Sequence, residues 1–330
     1  MNLATAWTTL EREDSRQAGI ISRRLDSPAP CGLIAAIEQP GAVRALLIEV
    51  PVDAVGPEPW PRARGFEVHP VLLVGGAKGT VQLQLRCGDR AWADVFAALT
   101  IDLVQRLEQE KTSQGAVASL HQRLAIWQAF FQRQAPDGLT PEEQRGLFGE
   151  LLCLHRFLLD GWGVAAAVHS WQGPLGGSQD FVAQLAVEVK ASLVDAPPRI
   201  RISSAQQLAQ PAGLELLLWH VRLATHDHGE RSLPELVSEV GSAISEREAG
   251  SVTAFLDRLQ AAGYVAAEAE KYPSRYSVQE QTFYRVADGF PRIVPDDLLA
   301  GVVGVQYAIE IATLLPFRLE APDAMKLIGA

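Results

Sequence analysis

The stretch DFVAQLAVEVKAS, residues 180–192, holds two apolar runs, DFVAQ at 180–184 and LAVEVKAS at 185–192, that read as β-strands. In the second run Val187 and Val189 point to one face. Glu188 and Lys190 share the other, roughly 7 Å apart along the strand. Asp180 opens the first run and lies across from Glu188 if the two runs form a hairpin, although the link has no Gly or Asn to fix its register. Two carboxylates and an ammonium would then converge. Lysine is scarce, 5 against 24 arginines, so a lysine inside an apolar strand needs a reason.

Upstream, Thr140-Pro141-Glu142-Glu143 supplies an N-cap, a proline at N1 and a capping-box glutamate, which predicts a helix over 141–160. At ~100° per residue Glu150 falls about 90° from the apolar centre near Leu151 and Leu158 and so sits at the core edge. Gly146, one turn back, leaves the helix surface open beneath it. VAAAVHSW at 164–171 reads as another strand, followed by the loop GPLGGS. Downstream, RIRIS at 199–203, a short helical SAQQLA and LELLLWHVRLA at 214–224 complete an order of α, β, β, β, then β, α, β. The expected class is a mixed α/β (α+β) core.

The 330 residues are enough for two or three domains. In the first hundred, ALLIEV at 45–50, PVLLV at 70–74 and the alternating VQLQLR at 81–86 predict a half-buried sheet. GGAKGT, at 75–80, lacks the spacing of a phosphate-binding loop and reads as a hairpin turn. Helical periodicity follows through Phe96, Leu99, Leu103 and Leu107, then Leu120, Leu124, Trp127 and Phe131, in helices expected to link this sheet to the next domain. APDGLT at 135–140 is a turn-rich break. Two helical patterns within 233–262 and strands near Tyr276, Phe283–Val286 and Val305–Ile311 suggest either a winged helix or a generic α+β packing or dimerisation domain. The expected division is an N-terminal β-rich domain at 1–110, a core with linking helices at 111–230 and a C-terminal α+β domain at 231–330.

Net charge is −10, and the three segments carry −3, −2 and −5, so coating nucleic acid by bulk electrostatics is excluded and any DNA contact must be local. Cys31, Cys87 and Cys153 have no paired spacing, which fits a reducing compartment and excludes a disulfide framework or zinc ribbon. Neither a leader-like N-terminus nor a run of 18 apolar residues occurs, so the expectation is a soluble cytoplasmic protein with no membrane partner.

Asp180, Glu188 and Lys190, with Glu150 as a third carboxylate, suit metal-dependent phosphodiester hydrolysis. Hard oxygens hold a divalent ion, the ion activates water, and a compact ammonium assists. As a bare pattern E-x-K arises by chance about once in a chain this long, given average residue usage. The alternatives are a surface strand with an exposed ion pair and a boundary glutamate with a solvated head. His226-Asp227-His228 is weak for zinc, Ser203 and Ser204 have no placed base, and Trp162, Trp171 and Trp219 read as packing. Arg199 and Arg201 share a strand face and are candidates for phosphate contact.

GLFGELLCL, W-Q-G-x5-QDF, VEVKAS and ISSAQQL resemble the PD-(D/E)XK nuclease superfamily, and more closely the PD-(D/E)XK proteins of bacterial restriction-type defence loci. YRVADGFPRI followed by VQYAIEI resembles that family's C-terminal part. The resemblance implies a restriction-endonuclease-like core and a Mg2+-dependent DNA endonuclease, with Mn2+ as a substitute. Asp180, Glu188 and Glu150 would bind the metal and Lys190 would assist the water. Gln207 matches a site glutamine on the following helix, with Gln206 as the competing choice. Gln179 stands where the motif has proline. Implied partners are DNA, a second copy for concerted double-strand cleavage, and methyltransferase or ATPase subunits of a defence system. The alternative from another class is a catalytically silent DNA-binding or scaffolding subunit.

Overall fold

The computed structural model describes residues 3–13, 18–55, 59–72, 79–133, 137–226 and 229–329. The chain divides into two compact units, residues up to 138 with 265–268, and residues 139–264 with 269 onward.

The first unit begins with helix α1 (Leu3–Arg12). Its strands are β1 (Gly19–Arg24), β2 (Gly32–Gln39), β3 (Val43–Pro51), β4 (Phe66–Leu72) and β5 (Thr80–Cys87). They pair antiparallel in the order β1-β2-β3-β5-β4. Alternation is visible in β2, where Leu33, Ala35 and Ile37 enter the main core and Ile34 and Ala36 a small cluster on the other face. Helices α2 (Ala93–Leu107) and α3 (Ser113–Arg133) bury Phe96, Leu99, Leu103, Leu107, Leu120, Leu124, Trp127 and Phe131 in that same core. The expected boundary at 110 is therefore displaced, because the apolar stripe of α3 packs within this unit instead of linking it to the next. GGAKGT falls mostly outside the described residues, between the antiparallel neighbours β4 and β5.

The second unit opens on α4 (Pro141–Cys153), whose capping box is formed as the sequence predicts: Glu143 N–H donates to Thr140 Oγ1 and Thr140 N–H to Glu143 Oε2. A π-helical turn (Leu154–Leu158) and α5 (Leu159–Gly161) carry the helix on to 161. Helix α6 (Val164–Ser170) replaces the strand expected at 164–171. Three consecutive alanines there favour helix, and Gly163 at φ 77° makes the reversal that starts it.

Strands β6 (Phe181–Val182), β7 (Ala186–Leu193), β8 (Arg199–Ile202) and β9 (Leu216–Thr225) follow. Then come β10 (Arg231–Ser232), α7 (Leu233–Glu248), α8 (Val252–Ala261), β11 (Arg275–Arg285), β12 (Tyr307–Glu310), β13 (Arg318–Leu319) and α9 (Ala321–Ile328). The main sheet runs β10-β11-β9-β7-β6, with β13 beside β11; β7 and β9 are parallel and the other pairs antiparallel. This is a mixed α/β architecture.

The winged-helix reading of 231–330 does not hold, because the long strand after α7 and α8 pairs along its length with β9 of the core sheet. That stretch therefore shares a core with the site-bearing strands. SAQQLA forms turns, not a helix: only isolated i→i+3 bonds occur, Gln207 N–H to Ser204 O and Ala209 N–H to Gln206 O, and Pro211 follows closely. β8 leaves the main sheet and pairs with β12, which is shorter than expected because a 3₁₀ segment starts at Ile311.

The two faces of β7 and β9 set up the site. Val187, Val189, Leu217, Trp219, Val221 and Leu223 enter the larger core, where each fully buried side chain of this size contributes about 1.5–3 kcal/mol. On the opposite face Ala186, Leu216 and Leu218 are apolar at one end, and Glu188, Lys190, Ser192, His220 and Arg222 continue it as polar groups. Helix α4 lies close over β7 because position 149 is glycine. A Cβ there would stand 3.1 Å from Ala191 Cβ and 3.3 Å from Val189 Cγ1.

Candidate active site

β6 and β7 form the expected hairpin, pairing Phe181 with Val187 and Val182 with Ala186. Continuing that register by one residue places Asp180 across from Glu188. Because β6 is only two residues long, the edge of β7 beyond it is open, and Asp180 Oδ2 accepts the edge N–H of Val189 at 2.8 Å. Glu150 reaches this edge from α4 and accepts the Trp171 indole N–H at 2.6 Å through Oε2. Gly173 permits the approach: a Cβ there would lie 2.8 Å from Asp180 Oδ1 and 3.1 Å from Glu150 Oε2. Gly146 meets open space, so the helix surface near Glu150 is uncovered.

Glu188 is 0% exposed. Lys190 Nζ stands 2.7 Å from its Oε1, as an ion pair, and Oε2 has no hydrogen-bond partner. The ammonium also donates to Gln207 Oε1 at 3.0 Å, and the same oxygen accepts Ser203 N–H at 2.8 Å. Of the two glutamines weighed for this place, Gln207 is the one that contacts Lys190. A cleft of about 460 Å³ is lined by Glu150, Asp180, Lys190, Gln207 and, at its rim, Arg199 and Arg201.

Three carboxyl groups thus face one ammonium in a buried setting. Burial, then the Asp180 charge, push the Glu150 carboxyl up to about 8. Burial raises Asp180 against the pull of Lys190 and the Val189 N–H. Burial first and Asp180 next hold Glu188 well above the usual carboxylate range. Burial pulls Lys190 down, but Glu188 and Asp180 together outweigh it and its pKa ends above the ordinary lysine value. Burial is thus the leading cause for all three carboxyls, and at about 8 Glu150 keeps its proton at neutral pH.

Among the described residues no three His, Cys, Asp or Glu side chains form a ready ligand group. Glu188 comes from one face of β7, Glu150 from the helix over the other, and Asp180 from the edge between them. Hard oxygen donors, an orphaned buried carboxylate oxygen and a proton retained on Glu150 by burial and the Asp180 charge nevertheless suit a divalent cation. Such an ion would replace that proton.

The family described as "Putative PD-(D/E)XK family member" (DUF4420) matches residues 3–312. The chain belongs to this family. No curated protein and no solved structure matches it. Asp180, Glu188 and Lys190 are the residues at this site that fit the family's D…(D/E)XK pattern. No helix among the described residues is long and apolar enough to cross a membrane.

Of the other sequence candidates, Ser203 lines the cleft, where its N–H is bonded to Gln207. Arg222, two residues beyond His220 on the same face of β9, donates to Val194 O and pairs with Glu280 and so is turned away from the cleft. His226 contacts Ser277 Oγ at 3.4 Å, while Asp227 and His228 lie outside the described residues. Trp219 is packing, as expected; Trp171 is equally buried but also holds Glu150, which its pattern as a core aromatic did not disclose. Further polar cleft residues went unread in the sequence, Arg145, Ser192 and His220 among them. Arg145 precedes Glu150 by five residues on the same helix, about 140° around it, so spacing gave no signal of a shared cleft. Ser192 continues the Glu188–Lys190 face by one period and is bonded at 2.8 Å to His220 Nε2. Burial and Arg222 pull His220 down to about 4, so its imidazole is neutral at pH 7.

Proposed function

We propose that the chain is a divalent-metal-dependent DNA endonuclease of restriction type, acting in a restriction-modification or anti-phage defence system. The observation that carries this reading is Glu188, a fully buried carboxylate with an orphaned oxygen, two further carboxyls nearby and one lysine as counter-charge. Burying three carboxyls beside a single lysine is costly, which favours a role that calls for them. Family membership supports phosphodiester hydrolysis, and the resemblance to defence-locus proteins supports the setting.

In this reading Asp180, Glu188 and Glu150 hold Mg2+. When bound, the ion supplies positive charge at the scissile phosphate and lowers the pKa of a water. Lys190 presents a buried ammonium at the cleft floor, where low dielectric strengthens its attraction to charge developing on phosphate oxygens. Gln207 fixes that ammonium through Oε1. Arg199 and Arg201, exposed on the rim, orient the strand by its phosphates. A second copy supplies the second cut where both strands are broken.

The test is plasmid cleavage by the full chain with Mg2+ or Mn2+ against an EDTA control. Nicked or linear product that EDTA abolishes is expected. Duplex binding without cleavage under any divalent ion would instead support the silent DNA-binding or scaffolding subunit.

Substrate capture gives a second expectation. With net charge −10, few phosphates can be neutralised, so random duplex binds weakly at physiological salt with a shallow salt slope. Titration of labelled duplex at several salt concentrations checks this; a slope implying about six or more phosphate contacts contradicts it.

A further inference from the structure

We propose that Gln179, which stands where the family motif has proline, is a positioning residue that holds Lys190 in place through the 206–209 turn. The inference rests on the nuclease reading for its consequence and on geometry for its substance. Gln179 is 4% exposed, and its amide nitrogen reaches three carbonyl oxygens of one turn: Gln206 at 2.8 Å, Ala209 at 3.0 Å and Gln207 at 3.3 Å. An NH2 group has two protons, so it sits at the focus of the turn and gathers those carbonyls around it. The turn needs such a clamp, because its own backbone supplies only isolated i→i+3 bonds.

From the clamped turn the Gln207 side chain projects back, and its Oε1 takes both the Ser203 N–H and the Lys190 ammonium. The chain of contacts is therefore Gln179 amide, turn carbonyls, Gln207 amide oxygen, Lys190 Nζ. The next residue, Asp180, is fixed separately by the Val189 N–H. One dipeptide thus sets a carboxylate directly and the lysine indirectly. Proline at 179 would shape the turn but carries no side-chain donor, so in this chain the motif's usual residue cannot substitute for glutamine.

The experiment compares wild type, Gln179→Met, Gln207→Met and the double variant. Methionine keeps the length and volume of glutamine without its donor. Amide exchange by NMR reads the contact without needing activity. Ser203 N–H, whose acceptor is Gln207 Oε1, is expected to exchange about tenfold faster in Gln179→Met, the scale of one lost hydrogen bond. Val189 N–H, held by Asp180, is expected to be unchanged. Under Mg2+-dependent cleavage, Gln179→Met and Gln207→Met each lower kcat with little change in KM, and the double variant is no worse than the more severe single one. Unchanged Ser203 exchange overturns the proposal. So does parallel acceleration at Val189, which would mean general loosening, or additive losses in kcat. If wild type cleaves nothing, the nuclease reading fails, and the Ser203 and Val189 rates still decide the clamp.

Discussion

Glu188→Ala and Lys190→Ala each lower Mg2+-dependent DNA cleavage by about 10³-fold or more, and calorimetry with Mg2+ separates the two. Glu188 is a ligand in the proposed site. Its loss leaves Asp180 and Glu150, which approach from the edge and from the far side of β7, and Mg2+ affinity falls with activity. Lys190 is not a ligand. Its ammonium neutralises part of the carboxyl cluster, so removing it leaves Mg2+ binding intact or tighter while turnover is lost. A Lys190→Ala protein that is folded but no longer binds Mg2+ contradicts this division of roles. Equal activity of Glu188→Ala and wild type contradicts the site itself.

The metal-free protein loses stability as pH rises from about 5 to about 8, by on the order of 3 kcal/mol from Glu150 alone. The sign follows from proton counts. Glu150 is held at about 8 in the folded chain against an ordinary 4.5, so between those values the folded state binds more protons than the unfolded one. Its contribution is lost as pH rises through this window, and Glu188, raised for the same reason of burial, acts in the same direction. Glu150→Gln removes the titration while keeping an oxygen for the Trp171 indole. In EDTA the variant should match wild type near pH 5 and exceed it at pH 8, measured by urea or thermal melts. Saturating Mg2+ reverses the trend for wild type, since the ion replaces protons that are already leaving, and adds about 2.7 kcal/mol at a hundredfold excess over Kd. Wild type and variant melting alike at pH 8 without metal would show that the carboxyl cluster is better solvated than its burial implies.

The sequence by itself determined the local pieces whose signals are local. The Thr140–Glu143 capping box placed α4, alternation placed Glu188 and Lys190 on one face of β7, and periodicity named the buried positions of α2 and α3. The 180–192 hairpin was legible, and with it the opposition of Asp180 and Glu188, because adjacent runs have few ways to pair. Tertiary structure decided what depends on partners distant in the chain. Val164–Ser170 alternates no worse than a strand, yet packs as a helix because no sheet edge claims it and its alanines favour the coil of lowest entropy cost. β11 joined β9 across some fifty residues, which no local pattern could announce and which moved the C-terminal stretch into the site-bearing unit. The site divides the same way. Its charged residues were visible as scarce types at strand spacing. The means of holding them came from folding: the Trp171 indole on Glu150, the Val189 edge N–H on Asp180 and the Gln179 amide around the Gln207 turn. Each of these bonds joins a side chain to a group whose only sequence trace is an ordinary packing residue or a backbone atom, and a hydrogen bond has no pattern until both ends have been brought within 3 Å.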